Sequence, residues 1–194
     1  MNNLEIEKLP EFDDHEFVAF SAESESGMKS FIAIHNINLG PAVGGTRYWH
    51  YRSEDEALRD ALRLSRAMTY KCALARIPYG GGKGVIMADK KFSKNGGLLK
   101  RYVQIIDGLK GRFYTGEDVG LNKKDVKKMA KLSPFIVGKL TKRSDNPPYW
   151  TALGVFYAMQ AGLEMLFGKS DLLGRKVAVK GLGKVGTELS KILS

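Results

Sequence analysis

Residues 16–20 (EFVAF) and 29–35 (KSFIAIH) are short runs rich in β-formers, separated by the polar stretch 21–27. This pattern predicts two adjacent strands joined by a loop and paired antiparallel. The period changes at residue 53. Ser53-Glu54-Asp55-Glu56 reads as a capping box, in which Ser53 caps and Glu56 reaches back to its N–H. Ala57, Leu58, Ala61, Leu62, Leu64, Ser65 and Met68 then recur near one helical face, with Arg59, Asp60, Arg63 and Arg66 mostly off it. A helix is predicted to about Tyr70. Further on, 84–88 (GVIMA) predicts a buried strand, 97–109 a helix and 112–114 (RFY) a short strand. Asn122 is placed to cap a short basic helix with Asp125 in its first turn, ending near Pro134.

The loop 144–148 (SDNPP) is stiff and is the expected domain boundary, dividing the chain into 1–143 and 144–194. Thr151 reads as the cap of an apolar helix to about Phe167, in which Ala152, Val155, Phe156, Met159 and Leu163 pack. Residues 168–174 turn the chain, 176–180 (KVAVK) predict a strand, and a helix opens at Thr187. Between them lies Gly181-Leu182-Gly183-Lys184-Val185-Gly186. A strand, then G-x-G-x-x-G, then a helix is the context of a dinucleotide-binding turn, whose helix N-terminus holds the pyrophosphate. A glycine-rich turn of another α/β unit is the alternative.

Candidate chemistry concentrates at residues 67–89 (AMTYKCALARIPYGGGKGVIMAD). Lys83 stands among Gly80, Gly81, Gly82 and Gly84. Glycines there let backbone approach a ligand or take positive φ, and they crowd the lysine away from water. A dry lysine beside another cation loses proton affinity and becomes usable as a base. The plain alternative is a glycine-rich turn with a solvated lysine. Lys71, at the expected helix C-terminus, stays protonated under the helix dipole and is able to bind a carboxylate near Gly44-Gly45, whose consecutive N–H groups suit the same group; a lysine that only complements the dipole and a plain turn between strands are the alternatives. Asp118, in the loop 115–120 (TGEDVG) after a strand, is placed to exchange protons with a neutral lysine; a turn aspartate is the alternative.

Composition narrows the picture. The chain has 194 residues, 43% hydrophobic and 27% charged, enough for a sizeable core. No apolar run approaches a membrane span, and the acidic N-terminus lacks a secretory signal's apolar centre. Cys72 is the lone cysteine, which excludes an internal disulfide framework and fits a cytoplasmic location. His15, His35 and His50 lack metal-ligand spacing, so no metal site is expected. The net charge of +10 raises the option of nucleic-acid binding. The lysines are scattered without a nucleic-acid motif, so a solvated basic surface is the favoured reading.

Together the motifs resemble the amino-acid dehydrogenase family that includes leucine, valine, phenylalanine and glutamate dehydrogenases. The matching segments are GPAVGGTR (40–47), MTYKCALARIPYGGGKGVI (68–86), TGEDVG (115–120), SDNPPYWTALGV (144–155) and GLGKVG (181–186). The resemblance implies an α/β fold: a catalytic and oligomerisation domain, then the start of a Rossmann domain, the front part of a longer enzyme. It implies that Lys83 activates water and assists imine formation, that Asp118 shuttles protons, and that Lys71 with Gly44 and Gly45 binds the α-carboxylate, with Met68 packing nearby. Thr151 would contact the nicotinamide of NAD, and Gly181, Leu182, Gly183, Lys184, Val185 and Gly186 would form the pyrophosphate loop. The implied reaction is reversible oxidative deamination of an L-amino acid to a 2-oxo acid and ammonium, by a homo-oligomer.

Glutamate dehydrogenases carry a lysine where this chain has Val43, so an apolar substrate is expected; a dry, unpaired side-chain carboxylate would be heavily penalised. Gly116 stands where leucine dehydrogenases tend to have alanine, which suggests a roomier pocket. One methyl discriminates by only about 1–3 kcal/mol, leaving leucine against phenylalanine open. Tyr149-Trp150 departs from the leucine enzymes' pattern. The competing class is a non-catalytic homologue acting as an oligomerising or binding module.

Overall fold

The computed structural model describes residues 5–88, 94, 96–137 and 146–194. Two compact units emerge, Met1–Lys139 and Leu140–Ser194. The first is a mixed sheet between helices. Strands β1 (Phe17–Glu23) and β2 (Met28–Asn36) form an antiparallel hairpin, and β2 pairs antiparallel with β5 (Gly80–Met87). The short strands β3 (Ala42–Val43), β4 (Thr46–Trp49) and β6 (Phe113–Tyr114) complete it in parallel: β3 lies between β5 and β6, and β4 pairs β5.

Helix α1 (Glu54–Leu74) covers one face of the sheet and α2 (Gly96–Gly108) the other. Ala57, Leu58, Ala61 and Leu62 of α1 bury against Phe31, Ala33 and Val85. On the opposite face Leu98, Leu99, Tyr102, Val103 and Ile106 of α2 join Met28, Ile32, Ile34, Ile86 and Phe113. Val126 and Met129 of α3 (Lys123–Met129) close that layer. Strand alternation sorts β2 and β5 residues between the two cores.

Several expectations need correction. The hairpin runs through Glu23, so Ser21, Ala22 and Glu23 are strand, held by pairing to residues 28–30. Helix α1 extends to Leu74, which puts Lys71 inside its last turn. Ser53 accepts the Glu56 N–H as expected, but the Glu56 carboxylate accepts the Arg52 N–H at 2.8 Å, so no reciprocal box closes there. The reciprocal box belongs to α3, between Asn122 and Asp125. Gly80 to Lys83 are strand, not a turn, and none of these glycines takes positive φ. Asp89 lies outside the described residues.

In the second unit, α4 (Pro147–Phe167) starts four residues before Thr151. Prolines at its first two positions lose nothing, because those N–H groups have no intrahelical partner. Thr151 is therefore not a cap, and its hydroxyl donates to the Pro147 carbonyl at 2.9 Å. Of the five residues expected to pack on α4, Ala152 alone is fully buried, since α5 (Lys184–Leu193) is the element of this unit packed on it. Residues 176–180 form no strand: they pair with no strand among the described residues, and a strand needs a hydrogen-bonded neighbour. Ser144 and Asp145 of the expected boundary lie outside the described residues. No helix among the described residues is long and apolar enough to cross a membrane.

Candidate active site

The glycines of β5 serve packing. A Cβ on Gly81 would meet the Thr69 N and Oγ1 of α1 at 2.2 Å, and one on Gly82 would stand 2.7 Å from the Phe113 ring. One on Gly84 would meet the Tyr102 hydroxyl at 2.1 Å. The strand is thus pressed between both helical layers, and Lys83, on the α1 side, is sealed in with 7% of its side chain exposed. The expected crowding is present; its cause is close packing in extended backbone.

Lys83 Nζ donates to Asp118 Oδ2 at 2.7 Å. Burial pushes the Lys83 proton affinity down; the Asp118 hydrogen bond and charge pull it back up, and the charge of Arg47 adds to the lowering. The cation beside Lys83 is therefore Arg47, which the sequence reading did not single out. Arg47 Nε donates to Asp118 Oδ2 at 3.3 Å and its Nη1 to Asp60 Oδ2 at 2.7 Å. Tyr51 donates to that same Asp60 oxygen, and Arg63 to the other. A sequence signal existed for Arg47, which ends the GPAVGGTR segment two residues after Gly45. None existed for Asp60, which read as one of the charges off the apolar face of α1.

The loop carrying Asp118 is fixed from beneath. Thr46 Oγ1 bonds both the Tyr102 and Thr115 hydroxyls, at 2.9 and 2.7 Å. The Thr46 N–H donates to the Gly116 carbonyl, and Tyr48 N–H to Val119. Gly120 takes φ of +80° and approaches Tyr48 so closely that a Cβ would meet its carbonyl oxygen at 1.8 Å.

Gly44 and Gly45 lie in this same region. A Cβ on Gly44 would meet the Met68 Cγ at 3.3 Å, and one on Gly45 the Asp118 Cβ at 2.9 Å. The pair does not offer two free amides, however. The Gly44 N–H donates to the Tyr114 carbonyl at 3.1 Å, a bond that the parallel β3–β6 pairing imposes; Gly45 has no such backbone partner among the described residues. Val43, half-buried in β3, pairs with Gly81 and Tyr114. Lys71 is exposed three residues beyond Met68, on the same side of α1.

Gly116 does not open a pocket at its Cα. A Cβ there would meet the Val137 carbonyl oxygen at 2.8 Å and its Cγ2 at 3.2 Å, so Val137 already occupies the space the missing methyl leaves. Lys83, Asp118, Met68, Gly44, Gly45 and Gly116 thus belong to one region of the first unit, with Lys83, Gly44 and Gly116 buried in it.

Thr151 and the glycine loop lie in the second unit. Gly181 takes φ of +93°, and Gly183 stands at the N-cap of α5 with no side-chain capping hydrogen bond. A Cβ on Gly186 would meet the Gly181 carbonyl oxygen at 2.0 Å, so α5 starts hard against the turn. Leu182, Lys184 and Val185 are exposed there. This cradle fits a phosphate ester: a helix N-terminus without a side-chain cap, its dipole, and no Cβ in the way at Gly181 or Gly183.

Residues 14–133 match the family model "Glu/Leu/Phe/Val dehydrogenase, dimerisation domain". The chain is 44% identical over 192 residues to the leucine dehydrogenase of Geobacillus stearothermophilus, covering 98% of this chain and 52% of that protein. It is 45% identical over 181 residues to the phenylalanine dehydrogenase of Thermoactinomyces intermedius, covering 92% and 50%. The crystal structure of L-tryptophan dehydrogenase from Nostoc punctiforme superposes with a TM-score of 0.71 at 44% identity, covering 92% of this chain and 51% of that one. The chain spans about half the length of the curated relatives it matches.

Proposed function

Because the chain belongs to the Glu/Leu/Phe/Val dehydrogenase family, we propose that it carries the substrate-binding and proton-transferring half of an enzyme that oxidatively deaminates an apolar L-amino acid. The supporting observation is the contact between the buried Lys83 and the partly exposed Asp118 at 2.7 Å. A buried lysine with weakened hold on its proton is suited to take one from water or from the substrate amine near neutral pH. Asp118 sits on the same hydrogen bond, ready to accept that proton and return it. The exposed Lys71, the Gly45 amide, which has no backbone partner among the described residues, and Met68 would hold the substrate α-carboxylate and the atoms next to it.

NAD, held at Gly181, Gly183, Gly186 and the α5 amides with Thr151 toward its nicotinamide, would supply the hydride acceptor for the α-carbon. Lys83 would then direct water at the substrate imine, and Asp118 would return protons as ammonium leaves, giving the 2-oxo acid. In this reading residues 1–143 are the catalytic and dimerisation domain, 144–194 open the dinucleotide-binding domain, and the chain self-assembles in the cytoplasm. Val43 argues against glutamate, whose side-chain carboxylate would face an apolar wall.

The experiment is NADH formation from leucine, valine, phenylalanine and glutamate by the protein carrying a full cofactor domain. Turnover of the apolar substrates with little of glutamate is expected. Lys83→Ala and Asp118→Asn should each lower kcat by about 10²-fold or more. Glutamate as the best substrate would overturn the Val43 argument, and wild-type rates in either variant would remove that residue from the mechanism. No turnover of any of the four would favour a non-catalytic binding module.

A further inference from the structure

Asp118 Oδ2 is shared by two cations, Lys83 Nζ at 2.7 Å and Arg47 Nε at 3.3 Å. Arg47 is itself gripped from behind by Asp60 Oδ2 at 2.7 Å. Asp60, with 12% of its side chain exposed, is in turn fully engaged by Arg47, Tyr51 and Arg63. Contacts therefore run without a gap from α1 (Asp60) through β4 (Arg47) to the loop (Asp118) and β5 (Lys83).

We propose that Arg47, anchored by Asp60, is a positioning residue of this centre: it fixes the Asp118 oxygen that meets Lys83 and keeps a second positive charge beside the lysine. The inference rests on Lys83 and Asp118 being the reacting pair. Asp118 lies outside any helix or strand, and a single bond to a lysine would leave its carboxylate free to turn. A planar guanidinium bridging two carboxylates removes that freedom, because each N–H has one direction. A lysine at 47 offers a point charge without the fork.

The charge matters as much as the geometry. The charged groups acting on Lys83 are Asp118 and Asp60, which favour its ammonium, and Arg47, which disfavours it. Removing Arg47 should make Lys83 hold its proton more tightly. Neutralising Asp60 while keeping its shape should do the opposite. Opposite shifts from two partners of one ion pair are what a purely structural role would not produce.

The labelling arm of the test needs no cofactor and uses this chain. Lys83 acylation by acetic anhydride is followed across pH by peptide mass spectrometry in wild type, Arg47→Gln, Arg47→Lys and Asp60→Asn, each checked for folding by circular dichroism. At a fixed pH on the rising limb, Arg47→Gln should label Lys83 at least about threefold more slowly and Asp60→Asn faster than wild type. Arg47→Lys should keep the wild-type pH midpoint. In the protein with a full cofactor domain it should lower kcat with KM little changed, as expected of lost alignment. Unmoved midpoints, or shifts of one sign in folded Arg47→Gln and Asp60→Asn, overturn the proposal. If Arg47→Gln does not fold, Asp60→Asn with an unmoved or raised midpoint overturns it alone. Labelling shifts without turnover of any amino acid would instead refute the dehydrogenase reading and leave the coupling standing.

Discussion

At the scale of single residues, β5 shows why a motif's glycines and its lysine are one feature. Gly81, Gly82 and Gly84 let two helical layers close on the strand, and that closure is what dries Lys83. Gly84→Ala should force the Tyr102 or Thr46 hydroxyl aside and lower stability by about 1–3 kcal/mol in urea unfolding. An unmoved midpoint would mean that the hydroxyl cluster yields freely. Ser30 is the opposite case. Its hydroxyl is buried on the α2 side of β2 with no hydrogen-bond partner among the described residues. Ser30→Ala should raise stability by about 1 kcal/mol, since a stranded polar group is removed from an apolar layer; the same unfolding curve decides it.

Among the elements, helix ends follow local chemistry and strands do not. The Ser53 hydroxyl accepts the Glu56 N–H at 3.1 Å, so Ser53→Ala should cost about 1 kcal/mol, read as a lower thermal midpoint. Glu56→Ala should matter less, because the N–H it serves belongs to the exposed Arg52. Residues 176–180 carry β-formers as β1 does, but β1 has β2 to bond and 176–180 pairs with no strand among the described residues. A strand depends on what lies beside it. A capped helix is fixed mainly by its own residues.

Over the first unit as a whole, the segment before β1 is pinned to α1 and β2 by histidines. His15 Nδ1 accepts the Asp13 N–H, and its Nε2 lies 3.0 Å from the Leu62 carbonyl and 2.9 Å from Ser65 Oγ. The His35 ring stands 4.9 Å away, edge-on, with Asp13 and Thr69 on its two nitrogens. Burial pushes the His15 proton affinity below its ordinary value; the neighbouring His35 and Arg66 add to this, against Leu62 and Asp13. The unfolded chain therefore binds a proton that the folded one refuses. Stability should be full above the ordinary histidine value of 6.5 and fall as pH drops below it. Thermal midpoints from pH 8 to 5 should show this decline, and His15→Gln should flatten it. A decline of equal depth in the variant would assign it to other groups.

The sequence by itself determined the helices of both units, the β1–β2 hairpin, the caps of α1 and α3, and the motifs that mark the family, because these depend on neighbours a few residues apart; β3 and β4 escaped it, and the strand it offered at 176–180 does not form. It also singled out Lys83 by its glycines and Asp118 by its loop, and the family pattern joined the two, 35 residues apart, which the structure brings to 2.7 Å. Tertiary structure decided the rest. It placed Arg47 and Asp60 at the site, committed the Gly44 amide to Tyr114, and filled the space at Gly116 with Val137. Each of these depends on which strand lies beside which and how closely a helix approaches, and such distances are settled only when the sheet closes between its two cores.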